Sequence, residues 1–380
     1  MSGPLNGLRI VEFAGLGPGP FCGMMLADHG ADVIRVDRLS RSHGHPEPKR
    51  EILNRSRRSI CVDLKAPEGR ELVLKLCGTA AAVFEGYRPG VMERLGLGPE
   101  ILMADNPQLV YGRMTGWGQD GPYAAMAGHD INYIALSGAL HGCGPAGQRP
   151  SPPMNLVGDF GGGGMMLAFG LLAAILYAQK TGRGQVVDCA MSEGTAVLMA
   201  MMYSLHAQNR WVDARGANLI DSGSHFYNTY ETADGKYIAL GAIEPQFYKE
   251  LLERLGLAHD ETFGKRDDPS RWQGLKERLD GHFRTKTRDE WTRILERTDA
   301  CFAPVLSLRE APLHPHNRAR NVFVEVEGDV QPAPAPRYSQ TVTDAPALMK
   351  SGTGVTRDLL FELGYSDDQL TDIRGRSIVA

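Results

Sequence analysis

The 380-residue chain has no paired cysteine motif, no strong charge excess and no apolar run of membrane-spanning length. Its six cysteines are scattered without a Cys-x-x-Cys spacing, which is typical of reduced thiols. A formal net charge of −4 gives no global basic field for nucleic acid. The most apolar stretch, 165–178, is shorter than the roughly 20 residues that a spanning helix needs. No signal-peptide pattern opens the chain, so we expect a cytoplasmic protein without membrane insertion or a nucleic-acid partner.

Metal-binding patterns are also scarce. The histidine pairs His43/His45 and His314/His316 lie in proline-containing stretches without further Cys or His nearby, so we predict no metal site. A local basic run, 49–58, is consistent with two interpretations. It either binds one polyanionic ligand or forms a solvated loop.

The first part of the chain alternates short apolar segments with helical patterns. This alternation favours an α/β fold with a parallel sheet covered by helices on both faces. The pattern predicts helices at 20–29 and 68–77 and strands at 8–13, 31–36, 59–63, 80–84, 109–114 and 185–189.

A segment of different character begins near residue 218. Two short strand patterns, 226–231 and 236–241, meet at Asp234-Gly235, which is the signature of a β-hairpin. The pattern predicts helices at 245–255, 272–283 and 288–298, the last opened by a Thr287-x-x-Glu290 capping box. The predicted organisation is a large domain over 1–190 completed by 330–380, a linker helix over 191–219 and a small α+β domain over 220–325.

Two ionisable residues stand where apolar, helix-like stretches begin, His129 and Asp159. Helix N-termini favour negative charge, so we expect Asp159 to be held ionised, as suits a base. A pair of bases facing one carbon can remove a proton and return it to the opposite face. Taken singly, His129 is also consistent with a structural histidine and Asp159 with an ordinary helix cap.

A glycine-rich turn, 14–20, follows the first predicted strand and opens a helix, which suggests a nicotinamide dinucleotide site. Its spacing argues against that reading, because Gly15, Gly17 and Gly19 alternate and Pro20 removes an N–H that a phosphate would bind. A tight strand-to-helix turn is the preferred interpretation, which leaves a nicotinamide oxidoreductase as a minor alternative.

Seven segments together resemble the α-methylacyl-CoA racemases of the family III CoA-transferase superfamily. They are 15–22, 36–38, 62–65, 88–94, 127–133, 155–163 and 241–248. The resemblance implies a Rossmann-like large domain with a smaller α+β domain, and a homodimer whose subunits interlock. It implies that no metal or redox cofactor is required and that CoA binds as part of the substrate.

The resemblance also implies roles for individual residues. His129 would be the base on the (S) face of the substrate and Asp159 the base on the (R) face. Glu244, at a helix-cap position, would orient the histidine from the other subunit; from the residues alone its cap position favours a purely structural role. The implied substrate and CoA contacts are Arg38 and Arg88 on the phosphates, the backbone of Val62, Asp63, Leu64 and Lys65 on adenine, and Gly128, Asp130, Ile131, Asn132 and Tyr133 around the histidine.

The implied activity is interconversion of (2R)- and (2S)-2-methylacyl-CoA thioesters through an enolate. One alternative is a family III CoA-transferase with Asp159 as nucleophile, which would not need a second base at His129. Another is a non-catalytic CoA-ester binding or scaffolding protein, which would need no matched bases. One segment, 221–227, departs from the family's usual Asp-Gly-Gly-Ala-Pro pattern, and we expect its His225 to alter the acyl pocket.

Overall fold

Strands and helices alternate along the chain with short connections. The computed structural model describes residues 2–39 and 51–380. The strands are β1 (Arg9–Phe13), β2 (Asp32–Arg38), β3 (Arg58–Val62), β4 (Ala82–Glu85), β5 (Val110–Thr115), β6 (Val186–Ala190), β7 (Tyr227–Glu231), β8 (Tyr237–Gly241), β9 (Phe302–Pro304), β10 (Phe323–Val326) and β11 (Asp329–Pro332). The helices are α1 (Pro18–Asp28), α2 (Pro67–Gly78), α3 (Val91–Arg94), α4 (Pro99–Asp105), α5 (Asp130–Leu136), α6 (Ala139–Gly142), α7 (Met166–Thr181), α8 (Met191–Leu198), α9 (Ala200–Ala207), α10 (Pro245–Leu255), α11 (Trp272–Phe283), α12 (Arg288–Leu295), α13 (Pro315–Ala319), α14 (Thr353–Glu362) and α15 (Asp367–Gly375).

The first six strands form one parallel sheet in the order β3-β2-β1-β4-β5-β6. The order reverses between β1 and β4, which lie side by side at the centre. In such a sheet the connections leaving the two central strands diverge and open a crevice at the carboxyl ends. The predicted α/β class with a Rossmann-like parallel sheet is confirmed.

Successive residues of the central strands enter different hydrophobic cores, as a two-sided sheet requires. On β1, Ile10 packs into the core that contains α1 and α7, whereas Val11 packs into the opposite core. The second core contains α2 and α4 together with Leu359 of α14 and Ile373 of α15. The C-terminal helices therefore complete one face of the parallel sheet.

The chain divides into two compact units. The first comprises Met1–Ser137, Met154–Leu198 and His316–Ala380, and the second Gly138–Pro153 and Met199–Pro315. The sequence pattern predicted 138–153 as part of the large domain. In the structure the Arg215 guanidinium donates hydrogen bonds to the carbonyl of His141, at 3.0 Å, and to that of Gln148, which ties this segment to the second unit.

The second unit is built around a hairpin. Strands β7 and β8 pair antiparallel and β9 joins β8, so the hairpin predicted from the Asp234-Gly235 turn is confirmed. Helices α10, α11 and α12 pack their apolar side chains against this sheet in a core centred on Phe283 and Trp291. The Thr287–Glu290 capping box is also present, with the Thr287 backbone N–H donating to Glu290 Oε2 at 2.8 Å.

A glycine-rich stretch extends α7 towards its N-terminus. Leu156–Met165 is π-helical and continues directly into α7, so one helical segment of 26 residues runs over Leu156–Thr181. The helical segment is thus longer than the apolar stretch 165–178. Gly162 and Gly164 fit against Thr195 and the carbonyl of Pro18 without room for a Cβ. By length and composition this segment could cross a membrane; core helices pass the same test, and 44% of its most apolar stretch is buried.

The basic run contributes buried ion pairs. Arg55 donates to both carboxylate oxygens of Asp28, at 3.0 and 2.5 Å, and Arg57 pairs with Glu12, with all four side chains buried. For these two arginines, neither a polyanion site nor a solvated loop is correct. Lys49, Arg50 and the pair His43/His45 lie outside the described residues.

Candidate active site

A cavity of about 580 Å³ lies at the crevice where the sheet order reverses. The connections after β1, β4 and β5 line it, together with Arg38 at the end of β2 and the start of α5. His129 and Asp159 both contribute to its wall. The fold therefore brings the two predicted bases, which are separated in the sequence, into one site.

His129 is the N-cap residue of α5 and its side chain is exposed in the isolated chain. Its backbone N–H donates to Asn132 Oδ1 at 3.0 Å, so Asn132 caps the helix from within its first turn. The prediction that a helix begins at His129 is confirmed. The local capping bond fixes the backbone that carries the imidazole while the ring faces the cavity.

Asp159 lies in the first turn of the π-helical segment, whose N-cap is Asn155. The Asn155 amide donates to Asp159 Oδ2 at 3.1 Å, and the Asp159 backbone N–H donates to Asp130 Oδ1 at 2.8 Å. Gly17, with φ +65°, would place a Cβ only 3.0 Å from Asp159 Oδ2. A glycine at position 17 therefore provides both the backbone turn and the space for the carboxylate.

The electrostatics of Asp159 differ from the sequence-based expectation. Burial raises the pKa of this carboxyl above its ordinary 3.8; the hydrogen bond from Asn155 opposes the rise, the negative charge of Asp130 adds to it and His129 opposes it. We expected the helix N-terminus to hold Asp159 ionised, and that expectation was wrong in direction. Partial burial is the largest effect, so Asp159 binds a proton more readily than a solvated aspartate.

Two arginines form a cationic part of the cavity wall. Arg38 and Arg88 are both exposed, and the Arg38 guanidinium lies 5.3 Å from the centre of the Tyr87 ring. The Tyr87 hydroxyl donates to the carbonyl of Ala14 at 3.1 Å, which links the loops after β4 and β1. Tyr87 was not among the predicted site residues, although an aromatic residue next to Arg88 and just beyond the predicted strand 80–84 was a usable signal.

An aromatic wall stands beside the histidine. The Tyr133 hydroxyl donates to the carbonyl of Gly128, and the Trp117 ring meets Tyr133 edge-on with ring centres 4.8 Å apart. All three residues line the cavity together with Asp130. This packing leaves no space for a Cβ at Gly128, which explains the glycine before His129.

Other predicted site residues lie away from this cavity. Ile131 is 45% exposed, and Asn132 acts through its capping bond. At the end of β3 and just beyond it, Val62 and Leu64 are buried in the hydrophobic core, while Asp63 Oδ1 accepts the backbone N–H of Lys65 at 3.0 Å. The structure does not bring 62–65 into contact with the two bases.

Glu244 and His225 belong to the second unit. Glu244 is the exposed N-cap residue of α10, but its carboxylate makes no capping hydrogen bond, so a purely structural cap does not account for it. His225 is fully buried, with its Nε2 2.8 Å from the hydroxyl of Tyr248. The expectation that His225 shapes an acyl pocket was wrong, because its ring is part of the unit's core.

Among residues 2–39 and 51–380, no group of three or more His, Cys, Asp or Glu side chains is arranged to hold a metal ion. His314, one of the histidines in the pairs noted above, lies 3.3 Å from a carboxylate oxygen of Glu296.

Comparison with known proteins identifies the class that this fold and site define. Residues 5–353 match the CoA-transferase family III, and the chain belongs to that family. It is 44% identical to an alpha-methylacyl-CoA racemase of Mus musculus and 42% identical to one of Homo sapiens, each alignment covering 99% of this chain and 97% of the relative. The crystal structure of a CAIB/BAIF family protein from Brucella suis superposes with a TM-score of 0.81 at 26% identity, covering 96% of this chain and 100% of that one.

Proposed function

We propose that this protein is a racemase that interconverts (2R)- and (2S)-2-methylacyl-CoA thioesters. The observation that carries the proposal is the presence of His129 and Asp159 in the wall of one cavity, each on a different helical segment. A single base would suffice for proton exchange, but inversion needs a second group that returns the proton from the other side. The mammalian relatives named as alpha-methylacyl-CoA racemases support the same activity.

In the proposed reaction, neutral His129 removes the α-proton of the (2S)-ester and protonated Asp159 donates a proton to the other face. The reverse reaction uses the Asp159 carboxylate as base and the His129 imidazolium as acid. The raised pKa of Asp159 supports its part as a proton donor. The carbonyl oxygen carries the developing negative charge, which preorganised donors must stabilise.

CoA enters as part of the substrate, and we propose no separate cofactor. Exposed Arg38 and Arg88 supply positive charge for its phosphates at the cavity wall. The adenine segment proposed at 62–65 begins at Val62, the last residue of β3 and the register partner of Arg38. It thus lies along the same carboxyl edge of the sheet, and remote CoA contacts there would position the α-carbon between the bases.

We further propose an interlocked homodimer in which Glu244 of one copy orients His129 of another. In the second unit, α9 buries none of its residues and leaves Met201 and Tyr203 more than half exposed. In the first unit, Phe169 on α7 is 72% exposed. Large apolar side chains on such faces are typical of surfaces that a partner covers. The Glu244 carboxylate, unused in capping, is available to a histidine of the second copy.

A reducing compartment such as the cytoplasm fits the cysteines. All six are free thiols, and Cys22, Cys77 and Cys189 are buried. Burial raises the pKa of Cys189 to about 12, so its reactive thiolate form is suppressed. We propose no membrane insertion, in keeping with the buried part of the Leu156–Thr181 helix.

Incubating the protein with a (2R)-2-methylacyl-CoA in deuterium oxide tests the function. We expect α-deuterium incorporation with loss of stereochemistry, and His129→Ala should abolish the loss of stereochemistry while CoA-ester binding is nearly unchanged. The exposed histidine variant His259→Ala is the control and should exchange like the wild type. Absence of exchange, with CoA transfer once a free carboxylic acid is added, would instead establish a transferase with Asp159 as nucleophile.

A further inference from the structure

Asp130 is buried although its neighbour His129 is exposed. Only 9% of Asp130 is accessible, and its Oδ1 accepts the backbone N–H of Asp159 at 2.8 Å. The same oxygen occupies the space that a Cβ at position 158 would need, so Gly158 permits this approach. The Asp130 carboxylate is therefore hydrogen-bonded to the π-helical segment.

We propose that Asp130 is a positioning residue that fixes Asp159 relative to His129. Residues 129 and 130 are adjacent at the start of α5, so the Asp130–Asp159 hydrogen bond connects the helix that begins at His129 to the backbone of Asp159. Two-base proton transfer depends on the separation of the bases, and displacement of a reacting group by about 1 Å costs on the order of 100-fold in rate. This inference rests on the racemase function proposed above, and it replaces direct substrate contact as the role expected for Asp130.

The charge of Asp130 has a second effect on its partner, because it adds to burial in raising the pKa of Asp159. The other groups around Asp159 are His129 and Tyr133 from α5, the Asn155 amide from its own segment and the backbone of Gly17 before α1. Among them, His129 and Asn155 lower this pKa. Removing the Asp130 charge while keeping its acceptor oxygen separates the geometric effect from the electrostatic one.

The test compares Asp130→Asn with Asp130→Ala, using Asp120→Asn, an exposed aspartate, as the control. Asparagine retains an oxygen that accepts the Asp159 N–H, whereas alanine leaves that N–H without its partner. Exchange from the (2R)-ester requires Asp159 as carboxylate, so its acid limb reports the Asp159 pKa. We expect Asp130→Asn to move that limb to lower pH with much of the kcat retained. Asp130→Ala should lower kcat about 100-fold with KM little changed.

A second measurement does not depend on activity. Carboxyl ¹³C NMR of the aspartates, with the Asp159 signal assigned by Asp159→Asn, should show a lower Asp159 pKa in Asp130→Asn than in the wild type. A rise in KM with unchanged kcat would overturn the proposal in favour of direct substrate contact. Equal losses of kcat in Asp130→Asn and Asp130→Ala, without a shift of the acid limb, would make Asp130 merely structural. If the wild type itself fails to exchange, the racemase function fails, and the NMR titration still decides whether Asp130 acts on Asp159.

Discussion

Mild acid should destabilise the second unit because folding buries His225 in its uncharged form. The ring is 0% exposed and its Nε2 hydrogen-bonds with the Tyr248 hydroxyl. Burial lowers the pKa of His225 from its ordinary 6.5 to about 4, and the nearby charge of Arg266 acts in the same direction. In mild acid, the unfolded chain therefore binds a proton at His225 that the folded chain does not bind.

The sign and size follow from this difference in proton binding. Between the folded and unfolded pKa values the unfolded chain binds more protons, so the free energy of unfolding falls as pH decreases below about 6.5. At about 1.4 kcal/mol for each pH unit, the loss reaches about 3 kcal/mol near pH 4. His225→Gln keeps a group that can bond to Tyr248 but does not titrate, so this acid-dependent loss should disappear.

Tryptophan fluorescence can isolate the second unit. Trp211, Trp272 and Trp291 lie in it, and Trp117→Phe removes the remaining tryptophan, which lies in the first unit. Urea titrations of this background between about pH 7 and about pH 4 give the free energy of unfolding with and without His225→Gln. His259→Gln, an exposed histidine variant, is the control and should leave the pH dependence intact. Parallel pH dependences with and without His225→Gln would refute the reasoning.

Two further substitutions probe the first unit. Arg38→Ala should raise KM about tenfold or more with a smaller change in kcat, because an exposed guanidinium that meets CoA phosphates contributes mainly to binding. Steady-state kinetics measures both constants, and a selective fall in kcat would contradict this role. Burial raises the pKa of Glu85 from 4.5 to about 7, so ionisation of this carboxyl costs stability as pH rises from about 4.5 to about 7. Glu85→Gln should therefore raise the free energy of unfolding by up to about 3 kcal/mol near pH 8. Urea titrations should show the gain fading below about pH 4.5, and a gain independent of pH would exclude this cause.

The elements of the fold were largely readable from the sequence because local signals agreed with the final structure. The predicted segments 31–36 and 109–114 coincide with most of β2 and β5, and the Thr287 capping box opens α12 as expected. The order of the strands is not a local property. Nothing in 80–84 itself indicates that β4 pairs with β1, although that pairing creates the crevice at the site.

Tertiary packing caused the main departures. Glycine is a poor helix former, so 161–164 carried a weak local helical signal. Close contacts with Thr195 and the Pro18 carbonyl make glycine necessary there. Arg57 and His225 are likewise polar residues that are buried in the folded protein. Arg57 pairs there with Glu12, and His225 bonds to Tyr248. A single sequence shows the residue type but not the partner that satisfies it.

The departure at Asp159 bears directly on the proposed reaction. One form of a two-base racemase carries its proton on Asp159 and the other carries it on His129, and the two substrate enantiomers require opposite forms. An ordinary carboxyl binds a proton far more weakly than an ordinary imidazole, so the form protonated on aspartate would be scarce. Burial and the charge of Asp130 raise the Asp159 pKa and narrow this difference. The partial burial of Asp159 thus favours proton transfer in both directions.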